Sequence, residues 1–248
     1  MIIFKSDREI QLMREAGRIV AQCHAVLKEH IQPGITTREL DHIAEKFIAR
    51  SGGIASFKGH QGFPACICTA INDVICHGIP DQTKLRSGDV ITIDIGVKLN
   101  GYHGDSAWSY AVGQVSPAIE QLMRVTEECL QLGIGQARPG NRIGDIGAAI
   151  QNHAERYRYG IVRDFCGHGV GRDLWEEPQI PHYGQAGKGR LLKPGMVVAI
   201  EPMITNGGWQ AKIAADGWTA RTADRSICAQ YEHTIAILED ETVILTQL

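Results

Sequence analysis

The 248-residue sequence lacks the features typical of membrane, secreted, disulfide-rich or nucleic-acid-binding proteins. No run approaches the ~20 apolar residues of a membrane span, and the opening MIIFKSDRE lacks the apolar core of a signal peptide. The seven cysteines have no C-x-x-C spacing, which indicates neither a disulfide framework nor a zinc ribbon. The net charge of −3 gives no reason to expect binding to nucleic acid or to a membrane. We therefore expect a cytoplasmic protein with neither of these partners.

The sequence also contains no stretch that resembles a linker between two domains. No Pro/Gly/Ser-rich or charged stretch divides the chain, and its 44% apolar and 21% charged residues are ordinary for a globular protein. The sequence contains neither H-E-x-x-H nor G-x-S-x-G, the patterns of common zinc proteases and serine hydrolases. Any enzymatic chemistry must therefore rest on another arrangement of side chains.

The segment with the strongest pattern is LRSGDVITIDIGVKLNGYHGD. Apolar and polar residues alternate over 90–97, which predicts a half-buried strand. Asn100-Gly101 is a preferred two-residue hairpin turn, because both residues tolerate positive φ. Asp94 then lies opposite Ala107, and Asp105 becomes its diagonal neighbour on the same face, roughly 7–8 Å away. Taken alone, the pattern fits either a shared site or two solvated acids on an exposed face.

The chain repeats this segment further along. LRSGDVITID (85–94) aligns without gaps on LKPGMVVAIE (192–201) at an offset of 107 residues, and both segments end on a carboxylate. Pro33-Gly34 and the apolar positions after it match Pro139-Gly140 and its followers at an offset of 106. Such agreement indicates an internal repeat. We interpret it as two αβ halves, related by a pseudo-twofold axis, that each offer a carboxylate to a shared cleft.

The repeat and the missing linker predict one α+β domain over 1–248, with halves of about 1–113 and 114–248. Capping boxes at Ser6–Glu9 and Thr36–Glu39 predict the starts of two helices. Ser116-Pro117 predicts a third, and a fourth is expected over about 143–159. We expect a monomer by default.

Five side chains in strands or tight turns are candidates for the chemistry: Asp94, Asp105, His168, Glu201 and Glu232. Four carboxylates in one cleft repel one another unless cations neutralise them, and four negative charges balance two divalent ions. Oxygen ligands with one imidazole suit Mn, Co, Fe or Zn. Two such ions about 3.5–4 Å apart would hold a bridging hydroxide and polarise a carbonyl. The glycines around His168, in GHGVG, predict a tight turn with an exposed imidazole.

An ordered set of segments resembles the bacterial type I methionine aminopeptidases: CHGIP, ITIDIG, NGYHGDSA, GHGVGRDLWEEP, KPGMVVAIEPM and AQYEHT. The resemblance covers essentially the whole chain. It implies the pita-bread fold, in which two pseudo-twofold-related αβ halves surround a central antiparallel sheet with helices on the outer face.

The same resemblance implies a function. Enzymes of this family remove the initiator methionine from nascent proteins when the second residue is small, by attack of a metal-bridging hydroxide. It makes the five candidate side chains the ligands of two divalent ions (Co, Mn, Fe or Zn) per chain. Glu201 would also manage the proton of the attacking water. The partner is then the N-terminal methionine of a nascent peptide, which places the enzyme near the ribosome.

The resemblance also assigns substrate contacts. His77 occupies the position of a catalytic histidine near the scissile amide, although a histidine that satisfies a turn is the plainer interpretation. Phe63, Cys68, Trp218 and His60 fall where the family lines its methionine pocket, and a thioether packs well against aromatic and sulfur-bearing walls. For the aromatic residues, ordinary core packing is the alternative.

Trp175 is the departure from the family pattern. In GHGVGRDLWEEP the family has a second histidine at this position, which contacts the substrate carbonyl. An indole N–H donates a hydrogen bond but neither accepts one nor becomes cationic. We expect metal binding to survive, with a change in transition-state stabilisation or in the shape of the site. The alternative is that Trp175 only fills space there.

Two other functions stay open at this point. One is another pita-bread peptidase, a prolidase or proline-specific aminopeptidase, although these usually carry an additional N-terminal domain. The other is a weakly active or non-catalytic binding relative, which the substitution at Trp175 keeps open although all five ligand positions are filled.

Overall fold

The computed structural model describes residues 1–248 and contains four α-helices and fifteen β-strands. The helices are α1 (Asp7–His30), α2 (Thr37–Arg50), α3 (Pro117–Gln136) and α4 (Ile143–Arg156). The strands are β1 (Ile54–Ala55), β2 (Ile67–Ile71), β3 (Val74–Cys76), β4 (Val90–Leu99), β5 (Tyr102–Ala111), β6 (Gly160–Ile161), β7 (Gly167–Gly169), β8 (Glu176–Ile180), β9 (Val197–Ile200), β10 (Met203–Thr205), β11 (Ala211–Ile213), β12 (Ala220–Thr222), β13 (Cys228–Gln230), β14 (His233–Ile237) and β15 (Thr242–Ile244). None of the helices combines the length and apolar character that crossing a bilayer requires.

The predicted helix starts are confirmed. The Ser6 hydroxyl accepts the backbone N–H of Glu9, whose carboxylate accepts the Ser6 N–H at 2.9 Å. Thr36 and Glu39 make the same reciprocal pair at the start of α2. The Ser116 side chain caps α3, where Pro117 takes the first helical position. Each cap satisfies backbone donors that the first turn leaves unpaired.

The predicted end of α4 is wrong. The helix ends at Arg156, and Arg158 then adopts a left-handed conformation with φ of 60°. Gly160 already belongs to β6, where it pairs with Thr205 of β10. The chain therefore leaves the helix three residues earlier than Tyr159, because it must turn to join a strand.

The central hairpin has the predicted register. Leu99 pairs with Tyr102, and Asp94 pairs with Ala107. The turn residues Asn100 and Gly101 have φ of 51° and 86°, as a two-residue turn with two positive φ angles requires. The alternating apolar residues of β4 are fully buried against α1 and α2, in a cluster with these strand members: Ile91, Ile93, Ile95 and Val97.

The second half is built in the same way. Its core packs α3 and α4 against β9, β10 and β14. The sheet orders are β1-β4-β2 with β5 beside β4, and β15-β14-β9-β7-β8. Smaller sheets have the orders β13-β10-β6 and β11-β12-β3. All the pairings between strands are antiparallel, so the expected α+β arrangement, with helices covering antiparallel sheets, is confirmed.

Equivalent hydrogen bonds occur in both halves. The Gly34 N–H donates to Leu85 O at 2.8 Å, and the Gly140 N–H donates to Leu192 O at 3.3 Å. These donors and acceptors are related by the offsets of 106 and 107 residues that the sequence repeat predicts. The contacts support a description in two halves. The single domain over 1–248 and its boundary near 113 stay predictions.

Candidate metal centre

A cavity of about 470 Å³ is lined by residues of both halves. The five predicted ligands all lie in its wall: Asp94 in β4, Asp105 in β5, His168 in β7, Glu201 directly after β9, and Glu232 between β13 and β14. The fold therefore brings together, in one place, side chains that are up to 138 residues apart in sequence.

The polar atoms of this group are close to one another. His168 Nε2 lies 3.7 Å from Asp105 Oδ2 and 3.6 Å from Glu201 Oε1. One ligand atom from each of Asp105, His168 and Glu232 lies within 4.8 Å of the others. Atoms at these separations can bind a common ion after small adjustments, since metal–ligand bonds are about 2.0–2.2 Å long.

Several carboxylate oxygens in the cavity have no hydrogen-bond partner. Asp94 Oδ1, Asp105 Oδ1 and Glu232 Oε1 are buried and unpaired. A buried acceptor without a donor is costly, and a buried carboxylate is found paired or bound to a metal. These residues therefore fit divalent cations, because their unpaired carboxylate oxygens are available as metal ligands.

The pKa values of these carboxyl groups also indicate that the acidic group lacks a compensating positive charge. Burial raises the pKa of Asp94 to about 7. Burial and the neighbouring carboxylates raise the pKa values of Asp105 and Glu232 well above their ordinary range, and the same causes act on Glu201. A bound cation reverses this effect by favouring the ionised carboxylates.

His168 lies on a strand, and the predicted glycine-rich turn with an exposed imidazole is wrong. Its side chain is only 14% exposed, and burial lowers its pKa to about 4, so the ring is neutral and able to bind a metal. The flanking glycines serve close strand packing. A Cβ at Gly167 would lie 2.2 Å from Ala199 O, and one at Gly169 would lie 2.3 Å from Glu177 O.

The tautomer of His168 follows from its neighbours. Nδ1 lies 2.9 Å from Gly169 O, a distance that assigns the proton to Nδ1 as the donor. Nε2, which faces the carboxylates, is then the free acceptor. A metal-binding histidine is commonly fixed in this way by a backbone carbonyl.

Glu201 is held at two points. Gln230 Nε2 donates to its Oε2 at 3.0 Å, and its backbone N–H donates to His182 Nε2 at 3.1 Å. In ICAQYEHTIAIL (227–238) apolar and polar residues alternate, which predicts that Gln230 lies on the same strand face as Glu232 and is a usable sequence signal. His182 gave no signal, because a single histidine outside any periodic pattern cannot be told from an exposed one.

Asp105 is fixed by the second half. The Thr234 hydroxyl accepts the Asp105 N–H at 3.1 Å and donates to Asp105 O at 2.7 Å. This double contact joins β5 to β14, so the hairpin of the first half and the last long strand of the second half form one continuous wall.

His77 lies in the cavity wall with φ of 56°. Its ring is edge-on to Phe165, with centroids 5.5 Å apart, and burial lowers its pKa. No hydrogen bond of the structure involves this imidazole, so it does not satisfy a turn through its side chain. A neutral imidazole with free nitrogen atoms is available to a ligand in the cavity.

An apolar cluster lines the same cavity. The predicted pocket residues Phe63, Cys68 and Trp218 do come together, and the rings of Phe63 and Trp218 meet edge-to-face at 5.2 Å. Phe57 and Leu174 belong to the same cluster. Sequence reasoning missed both, because each lies in an irregular segment where no periodicity marks its buried face.

Trp175 stands at the rim of the cavity with 40% of its surface exposed. Its ring meets His60 edge-to-face at 4.7 Å and lies 6.3 Å from the ring of His77 and 6.4 Å from that of His168. His60 therefore contacts Trp175 and lies outside the apolar cluster, although it lines the same cavity. The indole therefore lies near His77 and near the predicted ligand His168.

The buried acidic group, the neighbouring histidines and a match to a protein-family model together define the class of protein. Residues 11–239 match the model of metallopeptidase family M24. The chain therefore belongs to metallopeptidase family M24, and this membership implies the use of divalent metal.

Within this family, the chain is similar over its full length to methionine aminopeptidases. The chain is 55% identical to methionine aminopeptidase 1 of Bacillus subtilis (strain 168) over 248 residues, with 100% of both proteins covered. The crystal structure of methionine aminopeptidase from Rickettsia prowazekii superposes with a TM-score of 0.98 at 40% identity, covering 99% of this chain and 100% of that one.

A prolidase from Pyrococcus furiosus has a TM-score of 0.76 at 23% identity, covering 99% of this chain and 66% of that one. At this identity the likeness concerns the fold alone. Together the comparisons confirm the pita-bread fold and place the chain much nearer to the methionine aminopeptidases than to the prolidase.

Proposed function

We propose that this protein is a metal-dependent methionyl aminopeptidase that removes the N-terminal methionine of nascent proteins when the second residue is small. The observation that carries the proposal is that the acidic group and the apolar cluster around Cys68 share one cavity. Such a cavity can hold a thioether side chain at one place and the adjoining amide at the metal ligands. The full-length similarity to methionine aminopeptidases supports it.

We assign two divalent ions to the acidic group, drawn from Co, Mn, Fe or Zn. The ligands are the five side chains predicted from the sequence: Asp94, Asp105, His168, Glu201 and Glu232. Four carboxylates balance the charge of two such ions, and the unpaired oxygens supply binding positions. When bound, the ions lower the pKa of water and polarise a carbonyl oxygen.

The chain's own residues supply the remaining chemistry. Glu201 would hold or pass a proton at its carboxylate. Gln230 donates to its Oε2, and its Oε1 lies 3.6 Å from His168 Nε2, which supports this role. His77 can donate a hydrogen bond to the scissile amide or its developing charge. The apolar cluster excludes water from the methionine side chain and orients the peptide.

A panel of peptides tests this function against the prolidase alternative. We expect release of methionine from Met-Ala-Ser in the presence of Mn²⁺ or Co²⁺, and no cleavage of Xaa-Pro or Xaa-Pro-Xaa peptides. Preferential cleavage of the proline peptides would instead make the chain a proline-specific member of the family. A metal-free chain that takes up no metal would favour the non-catalytic alternative.

Trp175 tunes this site in our proposal. An indole offers one fixed N–H donor, whereas an imidazole also accepts a hydrogen bond and carries a proton. Trp175→His should raise kcat for Met-Ala-Ser by at least about tenfold without altering metal stoichiometry, since a positioned general acid or base typically contributes about 10²–10⁴-fold. Unchanged kcat and KM would mean that the indole only fills space at the rim.

We further propose that the enzyme acts in the cytoplasm as a monomer, close to the ribosome, where its substrates appear. The substrate class supports this placement, and the modest net charge of −3 fits a protein that does not bind nucleic acid directly.

A further inference from the structure

One buried ion pair connects the cavity wall to the N-terminal segment. Lys5 Nζ is 2.5 Å from Glu176 Oε2, and the two side chains are only 3% and 6% exposed. Every other ion pair of a lysine or arginine side chain in the structure includes a side chain that is at least 47% exposed. The function proposed above gives no role to Lys5, which does not line the cavity.

The acidic partner closes a loop at the cavity rim. We call Gly171–Glu176 the rim loop. Glu176 Oε1 accepts the backbone N–H of Asp173 at 3.4 Å. Room for this carboxylate exists because residue 171 is glycine, where an added Cβ would lie 2.2 Å from Glu176 Oε1. The carboxylate therefore packs against Gly171 and accepts a hydrogen bond from Asp173, in the middle of the loop.

The rim loop carries two residues that shape the cavity. Leu174 is 2% exposed and belongs to the apolar cluster, while Trp175 forms the rim above His60 and His77. A shift of the loop therefore moves the apolar wall and the rim together. The acidic group is less affected, because β7 also pairs with β9 on its other side.

Lys5 is itself held from outside the loop. Its backbone N–H donates to Gly195 O at 2.7 Å, in the turn before β9, and its ammonium also donates to Ile3 O at 3.0 Å. The ammonium thus has a fixed position relative to the strand that leads to Glu201. It connects this strand to the rim loop by one charge-assisted hydrogen bond.

We propose that Lys5 is a positioning residue for substrate recognition: by fixing Glu176 it holds Leu174 in the apolar cluster that receives the substrate side chain, and it holds Trp175 at the rim of the cavity. It sets KM and side-chain selectivity without touching the substrate. The inference rests on the proposed function, since the substrate side chain is taken to be that of methionine.

Lys5→Met tests the inference. Removing one partner of a buried pair leaves an uncompensated charge, so the Glu176 carboxylate must turn toward water and take the loop with it. We expect KM for Met-Ala-Ser to rise at least about tenfold, since the loss of binding energy that is equal in the ground state and the transition state raises KM. We expect kcat to stay within about threefold, with unchanged metal stoichiometry, and the preference for methionine over norleucine or leucine to fall.

Two further variants make the test specific. Lys5→Met combined with Glu176→Gln leaves no buried charge and should return KM to within about threefold of the parent value. Arg172→Met is the matched control on the same loop. Arg172 is 69% exposed and pairs with Glu9 at 3.6 Å, and an exposed pair contributes little, so its KM should not change.

Trp175 provides a readout that does not depend on catalysis. The fluorescence of each variant is compared with that of the same variant carrying Trp175→Phe, which isolates the signal of this indole. We expect Lys5→Met to raise the acrylamide quenching constant of Trp175 about twofold, because a loop released from its anchor is more open to solvent. This result is obtained even if the parent chain cleaves no methionyl peptide, which separates a failure of this inference from a failure of the proposed function.

The inference is overturned if folded Lys5→Met keeps the parent KM and quenching, or if Arg172→Met produces the same changes. If Lys5→Met does not fold, Glu176→Gln alone decides. The glutamine keeps an oxygen that can accept a hydrogen bond from Lys5. We expect the KM of Glu176→Gln to exceed the parent value, but by less than about tenfold. A KM equal to that of the parent would contradict the role of the charge pair.

Discussion

The two halves of the molecule deliver their carboxylates to the cavity in different ways. Asp94 and Asp105 lie within β4 and β5, two unbroken ten-residue strands joined by a tight turn. Glu201 lies where β9 ends, before β10 begins, and Glu232 lies between β13 and β14. Regular pairing therefore fixes the spacing of the first two carboxylates, whereas the other two sit at interruptions and need separate supports.

Those supports come partly from the first half. The Glu232 N–H donates to Ala107 O at 2.7 Å, and the Ser106 hydroxyl donates to Glu232 O at 2.6 Å. Glu201 is held by Gln230 and His182 within the second half. The central hairpin thus positions its own two carboxylates and one from the other half, which makes it the structural reference for the whole centre.

The largest expected effect comes from removing one proposed ligand in each half. Asp105→Asn and Glu232→Gln keep the shape of the side chain and remove its charge. Each should lower kcat/KM for Met-Ala-Ser by at least about 1,000-fold, because loss of a metal ion removes several kcal/mol of transition-state stabilisation. Metal content, measured by calorimetric titration, should fall in both. A variant of either half that keeps both its metal content and its activity would show that this half does not supply the centre.

A pH experiment on the metal-free protein sharpens the comparison. Burial raises the pKa of Asp94 to about 7, above the value of 3.8 expected for the unfolded chain. The contribution of this group to stability is therefore fully present below about pH 4 and is lost as the pH rises through about 7. Asp94→Asn cannot ionise, so at pH 8 it should exceed the parent free energy of unfolding by about 2–4 kcal/mol.

The two proteins should differ little near pH 4, where both side chains are neutral. Urea denaturation of both at each pH gives the difference. Asp240→Asn, at an exposed position, serves as the control for the change of one charge. A stabilisation by Asp94→Asn that is the same at both pH values would mean that ionisation of Asp94 is not its cause.

The smallest expected effect is a difference in the free energy of unfolding between alanine variants of two equivalent glycines. Gly88 and Gly195 occupy the same place in the repeat and have φ of 98° and 84°. Alanine in this left-handed region costs roughly 1–2 kcal/mol. At Gly195 the new Cβ would also lie 3.0 Å from Lys5 O, whereas at Gly88 the nearest atom is Gln114 O at 3.9 Å.

We therefore expect Gly195→Ala to lower the free energy of unfolding by about 1 kcal/mol more than Gly88→Ala does, since the crowded site adds a steric cost. Equal losses in urea denaturation would indicate that the N-terminal segment moves aside freely, and would weaken the structural importance given to the contacts of Lys5.

The difference between the halves also explains what the sequence could predict. The hairpin register followed from the alternation in β4 and from Asn100-Gly101, since both signals are local. Glu201 was found through the repeat. The break in the strand after Glu201 has a local cause in Pro202, which has no N–H to donate to a strand ladder.

Residues that depend on tertiary packing escaped prediction. His182 supports Glu201 from a segment without periodicity, and Leu174 reaches the apolar cluster from the rim loop. The strand at His168 read as a turn because glycines there permit close packing between neighbouring strands, a use that sequence alone does not distinguish from turn formation.

A metal titration of the metal-free chain, followed at each step by release of methionine from Met-Ala-Ser, tests the shared centre most directly. We expect up to two equivalents of Mn²⁺ or Co²⁺ to bind and methionine release to rise with them, because both halves supply ligands to one centre. A chain that binds no metal, or one that releases methionine equally well in the presence of a chelator, would contradict it.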